Sequence, residues 1–99
     1  MAVVMSMVWA EVTPAQYDTV RHAVGWEELA PAGAQLHAAW FDAGGLHVTD
    51  VWDSQQAFET FMADRLAPEI EKAGITGTPE VSFAPLHRRF VAPGITGAA

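Results

Sequence analysis

The sequence predicts an α+β domain of the ferredoxin-like type, β-α-β-β-α-β, with two helices on one face of a four-stranded antiparallel sheet. Three observations predict it. Two helix-start signals, Thr13-Pro14-Ala15-Gln16 and Ser54, each follow a β-rich run. Two runs of strand character flank the turn-forming Asp42-Ala43-Gly44-Gly45, as a hairpin requires. The chain has 99 residues, enough for one domain and too few for two.

Each element has its own justification. Val3–Val12 is β-rich and continuous, as a central strand covered on both faces would be. Thr13 suits an N-cap, Pro14 the first helical position, and Gln16 can close a capping box. Tyr17, Val20 and Val24 then recur as one helical stripe, before Gly25 weakens the helix. Glu27–Gly33, with Pro31, reads as a loop. Gln35–Phe41 and Leu46–Trp52 are the second and third strands. Ser54 caps a second helix whose buried stripe is Phe58, Phe61, Met62 and Leu66, and Pro68 then kinks it or starts a short new turn ending near Gly74. Thr76–Pro79 is a linker and Val81–Phe90 the fourth strand. Residues 1–91 form the single ferredoxin-like α+β barrel domain, and 92–99, rich in small residues, are expected to be a flexible C-terminal tail.

Composition narrows the function. A domain of this size buries only roughly 60–65% of its unfolded surface, yet 51% of its residues are hydrophobic, including four Trp and five Phe. Either the core is unusually aromatic or apolar surface meets a partner. Homodimerisation through the uncovered sheet face, closing a dimeric α+β barrel, is the expectation. The net charge of −7 repels phosphate backbones and anionic membranes, so neither nucleic acid nor a membrane is expected as a partner. No cysteine is present to staple the fold or serve as a nucleophile. The apolar start MAVVMSMVWAEV has no basic leader and is too short to span a bilayer, which points to a cytoplasmic protein.

With Asp42–Gly45 taken as the hairpin loop, Phe41 opposes Leu46, Trp40 opposes His47, Ala39 opposes Val48, and His37 opposes Asp50. One face then carries Gln35, His37, Ala39, Phe41, Leu46, Val48, Asp50 and Trp52, the composition of a ligand pocket. The other carries Leu36, Ala38, Trp40, His47, Thr49 and Val51, which suits packing beneath helices. A buried carboxylate is costly unless paired. A histidine opposite relieves that cost, while the carboxylate fixes the imidazole tautomer and prepares a general base. The same pair also serves as a satisfied structural contact, an interface latch, or a ligand contact without chemistry. A three- or five-residue loop would separate the two residues onto opposite faces.

Weaker candidates surround this pair. His87, beside Phe83 and Pro85 on the fourth strand, could reach the same cavity. His47 with Trp40 suits packing near a strand end, and His22 suits a solvated helix face. Metal binding is not expected, because no HxH, HxxxH or CxxC spacing occurs. Phosphate loops and nucleophile elbows are absent too.

The run Gly45…Val48-x-Asp50-Val51-Trp52-Asp53-Ser54-x-x-Ala57-Phe58-x-x-Phe61 resembles the strand-to-helix signature of the dimeric α+β barrel superfamily. It is most similar to small antibiotic-biosynthesis-monooxygenase-like (ABM-like) proteins of actinobacteria. His37, Arg65-Leu66-Ala67-Pro68 and Pro85-Leu86-His87 resemble the same group, and the resemblance covers about residues 3–90. It implies a homodimer with one pocket per subunit between sheet and helices, and no metal, flavin or haem cofactor. Members oxidise polycyclic phenols with O₂, and relatives cyclise or isomerise polyketide-like substrates. Trp52 matches a tryptophan lining the monooxygenase pocket. Two positions depart: the asparagine expected four residues earlier is Val48, and the tyrosine expected early in the second helix is Phe58. Haem degradation does not fit either, since that branch carries an Asn/Trp/His pocket.

The expectation is therefore a cofactor-independent enzyme of secondary metabolism acting on an enolisable polyketide-like or aromatic molecule. His37 would take a proton, Asp50 would orient it, and Gln35, Phe41, Trp52 and His87 would bind substrate. Isomerisation or cyclisation is the leading outcome. Monooxygenation of the antibiotic-biosynthesis type is the alternative, and a non-catalytic dimeric binding or accessory barrel for an apolar ligand is the third reading.

Overall fold

The computed structural model describes residues 1–99. The chain runs β1 (Val3–Trp9), α1 (Pro14–Val24), β2 (Ala34–Asp42), β3 (Gly45–Trp52), α2 (Gln55–Phe61), a π-helical turn (Met62–Leu66), α3 (Ala67–Lys72) and β4 (Glu80–Pro85). The strands form one antiparallel sheet in the order β2-β3-β1-β4. This is the ferredoxin-like α+β fold expected from the element order.

Local sequence explains the boundaries. The capping box is closed: Gln16 N–H donates to Thr13 Oγ1 (3.2 Å) and Thr13 N–H to Gln16 Oε1 (3.0 Å). Gly25 takes a left-handed conformation (φ 69°) and returns its N–H to Arg21 C=O, ending α1. Ser54 Oγ accepts from Ala57 N–H (3.1 Å) at the start of α2. Before Pro68 the helix widens by one residue, and Ala67 N–H reaches Met62 C=O. Proline has no N–H, and its ring crowds the preceding turn. The π-turn therefore joins α2 to α3, a separate short helix that starts at Ala67 with Pro68 in its first turn.

Two strands are shorter than expected. β1 ends at Trp9, and after the turn at Ala10 and Glu11 Val12 enters the core. β1 also alternates instead of being covered on both faces: Met5, Met7 and Trp9 are buried while Ser6 between them is exposed. β4 stops at Pro85, not Phe90, because its partner β1 begins at Val3, opposite Pro85. One further bond, Leu86 N–H to Ala2 C=O, exhausts the ladder.

The assignment of faces is corrected. The helices cover the face bearing Asp50 and Trp52, and Leu36, Trp40, His47 and Thr49 lie on the bare face, with Trp40 48% exposed. Trp52 explains the choice: its ring packs against Phe58 and Phe61 at 5.6 Å each, so the large aromatic set needs the helices above it. Most of the aromatic surplus is thereby absorbed in the core. Trp9, Trp52, Phe58 and Phe61 belong to the buried cluster, with Tyr17, Trp26, Phe41 and Phe83 packed against it.

Candidate active site

The hairpin register places His37 opposite Asp50. Asp42 and Gly45 themselves pair, so the connection is a two-residue turn with the same parity as the expected four-residue loop. His37 Nδ1 lies 2.7 Å from Asp50 Oδ1, and Trp52 Nε1–H donates to Asp50 Oδ2 at 3.0 Å. Asp50 is only 5% exposed. Both carboxylate oxygens thus have a partner, which is what allows a charge to sit among apolar residues.

The other ring nitrogen of His37 is also engaged. Tyr17 Oη lies 2.7 Å from His37 Nε2, with the ring planes nearly parallel (5°). The donors can be assigned by elimination. An indole only donates and an ionised carboxylate only accepts, so a neutral His37 carries its proton on Nδ1 and accepts the Tyr17 O–H at Nε2. The result is one directed chain, Tyr17 O–H to His37, His37 N–H to Asp50, braced by Trp52 N–H. Burial pushes the Tyr17 phenol up to about 12; Arg21 opposes this, and Glu27, Asp50 and Asp18 reinforce it. At neutral pH Tyr17 is therefore a donor and not a phenolate.

These residues border a cavity of about 1140 Å³ between sheet and helices. Tyr17, Trp26, Phe41, Met5 and Met7 supply apolar wall, and Val91 and Ile95 border it from the C-terminal segment. Trp26 lies 5.3 Å from the His37 ring and Phe41 stands edge-on to Tyr17. The His37 side chain is 34% exposed, so the pair is reached from the cavity while Asp50 stays behind it. Arg21 is the one lysine or arginine on the lining, and it is paired with Glu27 at 3.2 Å and Asp18 at 3.8 Å. With Asp50, Asp18 and Glu27 also there, the cavity suits a neutral ligand better than an anion.

The remaining expected site residues divide. Phe41 and Trp52 border the cavity, though Trp52 is 3% exposed and its polar atom is committed to Asp50. Gln35 borders the cavity as well, but does not pair with Trp52 as strict alternation required. A bulge between Ala34 and Leu36 leaves it unpaired, and its amide donates to Asp53 Oδ1 at 2.7 Å. His87 is exposed beyond the end of β4 and does not border the cavity. A smaller groove of about 520 Å³, beside Gly33, Asp53 and Arg65, contains none of the expected site residues.

Tyr17 and Trp26 were not singled out by sequence as site residues. Tyr17 fits the apolar stripe of α1, and only its polar tip set it apart. Trp26 lies in a non-periodic loop and gave no signal. No group of three or more His, Asp or Glu side chains converges as a metal site. No helix is long and apolar enough to cross a membrane.

Comparison with known proteins places the fold. No protein-family model matches the chain. No curated protein matches it either. Among solved structures it is similar to SnoaB, a cofactor-independent oxygenase from Streptomyces nogalater: TM-score 0.58, 17% identity, covering 93% of this chain and 96% of that one. It is also similar to the monooxygenase from the gene ActVA-Orf6 of Streptomyces coelicolor, solved with Nanaomycin D: TM-score 0.56, 19% identity, 92% and 91% covered. A dimeric ferredoxin-like protein of unknown function from Thermobifida fusca gives TM-score 0.58 at 17% identity, covering 87% and 92%. The chain therefore has the fold of the ABM-like monooxygenases, as the strand-to-helix signature implied.

Proposed function

We propose that this protein is a cofactor-independent enzyme that removes a proton from a neutral, largely apolar, enolisable molecule of polyketide-like or aromatic type. The observation that carries this reading is the wiring of His37: its Nδ1 is held by a carboxylate that is itself buried and braced by Trp52. That arrangement leaves Nε2, which accepts the Tyr17 O–H at the cavity wall, as the basic nitrogen, and a positioned base contributes ~10²–10⁴-fold in rate. The anion so formed isomerises or cyclises when the substrate contains an electrophile in reach.

A second fate is favoured by the oxygenases that share the fold. The same anion reacts with O₂ at an activated methylene: the two C–H bonds are replaced by C=O, and the second oxygen leaves as water with both hydrogens. That balance needs no external reductant.

The functional unit is proposed to be a homodimer. Only 12 of 99 residues are buried in the single chain, which leaves Leu36 (37% exposed) and Trp40 (48%) on a bare sheet face. The dimeric protein from Thermobifida fusca gives this fold a precedent.

The test uses 2-tetralone, a bicyclic enolisable ketone, in D₂O. Exchange at the activated methylene is followed by ¹H NMR and O₂ uptake by electrode. The protein is expected to exceed buffer exchange by at least tenfold and His37→Ala to lose the excess. Exchange without O₂ uptake selects isomerisation or cyclisation; uptake selects oxygenation. No exchange above buffer refutes the reading.

A further inference from the structure

In the resting site His37 cannot meet a substrate directly. A neutral imidazole has one acceptor lone pair, and the Tyr17 hydroxyl occupies it with a hydrogen bond of 2.7 Å, the two ring planes being parallel to within 5°. Tyr17 is also poorly placed to swing aside. Its ring is wedged between Trp26 (centroids 5.9 Å, 64°) and Phe41 (6.1 Å, 85°) on the inner stripe of α1. Its oxygen still has acceptor capacity after donating its proton, and the residue borders the cavity.

We propose that Tyr17 is a catalytic residue that relays the substrate proton to His37. This rests on the deprotonation reading and deepens it. In the forward step the substrate C–H or O–H bond breaks and its electron pair stays on the substrate. The proton forms a new O–H bond on Tyr17 while the original Tyr17 proton passes to His37 Nε2. Tyr17 is neutral before and after, His37 becomes an imidazolium, and Asp50 holds the opposite charge 2.7 Å from the ring. The reverse step returns a proton through the same oxygen to a different substrate atom, which is what an isomerase needs. Transfer is concerted because burial makes a free phenolate unfavourable here. The base is hidden behind a hydroxyl, so the group that meets the substrate comes from α1 and not from the hairpin.

The sequence makes the test clean, since Tyr17 is the only tyrosine in the chain. Biosynthetic replacement of tyrosine by 3,5-difluorotyrosine therefore alters this one phenol and makes it more acidic. Three proteins are compared with the unaltered chain in the 2-tetralone exchange assay: Tyr17→Phe, the difluorotyrosine protein and His37→Ala. Melting temperature and 2-naphthol binding by fluorescence are recorded alongside. The relay requires Tyr17→Phe to lose most of the catalysed exchange, approaching His37→Ala, with 2-naphthol affinity changed by less than about tenfold. It also requires the difluorotyrosine protein to show an altered pH–rate profile at unchanged melting temperature. If Tyr17→Phe exchanges as fast as the unaltered protein while His37→Ala does not, His37 meets substrate directly; the relay is wrong and the base reading stands. An unaltered profile in the difluorotyrosine protein also overturns the relay. If the unaltered protein does not exceed buffer, the deprotonation reading fails and takes the relay with it.

Discussion

Replacing Asp50 by Asn tests the wiring with almost no change of shape. The carboxylate faces two donors, Trp52 Nε1–H at 3.0 Å and His37 Nδ1–H at 2.7 Å. An amide has one acceptor oxygen and one donor nitrogen. Trp52 can only donate, so the Asn oxygen must turn to Trp52 and its NH₂ to His37. His37 Nδ1 must then accept, which moves the ring proton to Nε2. The hydrogen bond to Tyr17 survives with its direction reversed, and the base is lost. The Tyr17 O–H then loses its acceptor and turns to the cavity, and the second N–H of the Asn amide has no partner, so the stability cost is at least that of exchanging charge-assisted for neutral hydrogen bonds, about 1–2 kcal/mol. In a domain of this size that lowers the melting temperature by roughly 4–16 °C. Asp50→Ala leaves both donors unsatisfied, at ~1–3 kcal/mol each, and should melt lower still. The decisive assay is long-range ¹H–¹⁵N NMR of the histidine ring, which distinguishes the Nδ1–H from the Nε2–H tautomer. The unaltered protein should show Nδ1–H and the Asn variant Nε2–H, with catalysed exchange reduced ~10²–10⁴-fold. An Asn variant that keeps Nδ1–H and its activity refutes the donor assignment and the role of Asp50.

Other outcomes follow from the same geometry. His37→Ala combined with Asp50→Asn should lose little more activity than His37→Ala alone, since groups acting as a unit are strongly non-additive; independent, additive losses would reject the pair as a unit. Light scattering at micromolar concentration should give a dimer mass, and Trp40→Glu on the bare face should shift it to the monomer; a monomeric unaltered protein contradicts the proposed assembly. The single tyrosine should titrate near pH 12 by ultraviolet absorbance. Because its folded value is raised, the stability linked to Tyr17 is fully present below pH 10 and is lost as pH rises toward 12, so melting temperature should fall there less steeply in Tyr17→Phe. Gly45→Ala should destabilise strongly, because φ is +98° and the added Cβ would meet Ala10 Cα at 2.6 Å and Ala10 O at 2.7 Å; an unchanged melt would refute that close approach.

Most of the fold was legible because its signals are local. The Thr13–Gln16 box and the Ser54 cap depend on residues three apart, and the hairpin register depends only on the parity of one short turn. What sequence misjudged was set by distant partners. The residues through Phe90 permit a strand by themselves, but a strand lasts only as long as its neighbour, and β1 begins at Val3. The faces were exchanged because small aliphatic residues look suited to helices. The size of Trp52, Phe58 and Phe61 reversed the outcome, since the rings that need the most cover take the helices. Gln35 lies on the cavity lining but without the expected cross-strand partner, because alternation cannot foresee a bulge.

The site shows the same division more sharply. His37 and Asp50 belong to one hairpin, so a two-residue period was enough to bring them together. Tyr17 reaches them from a helix 20 residues earlier in sequence, and a helical stripe does not say which strand it will cover. Yet the sequence placed a hydroxyl on that stripe, in a position where a phenylalanine would fill the same space. A half-buried hydroxyl is better satisfied by a partner, and the side chains carrying polar atoms on the covered sheet face are few. Asp50 is committed to Trp52 and to one side of His37, which leaves the other side of His37 to receive Tyr17. The charge on an apolar strand and the hydroxyl on an apolar helix thus answer each other through one imidazole. Each is anomalous by itself, and together they define a path by which a proton can leave the cavity without a charge being left unpaired.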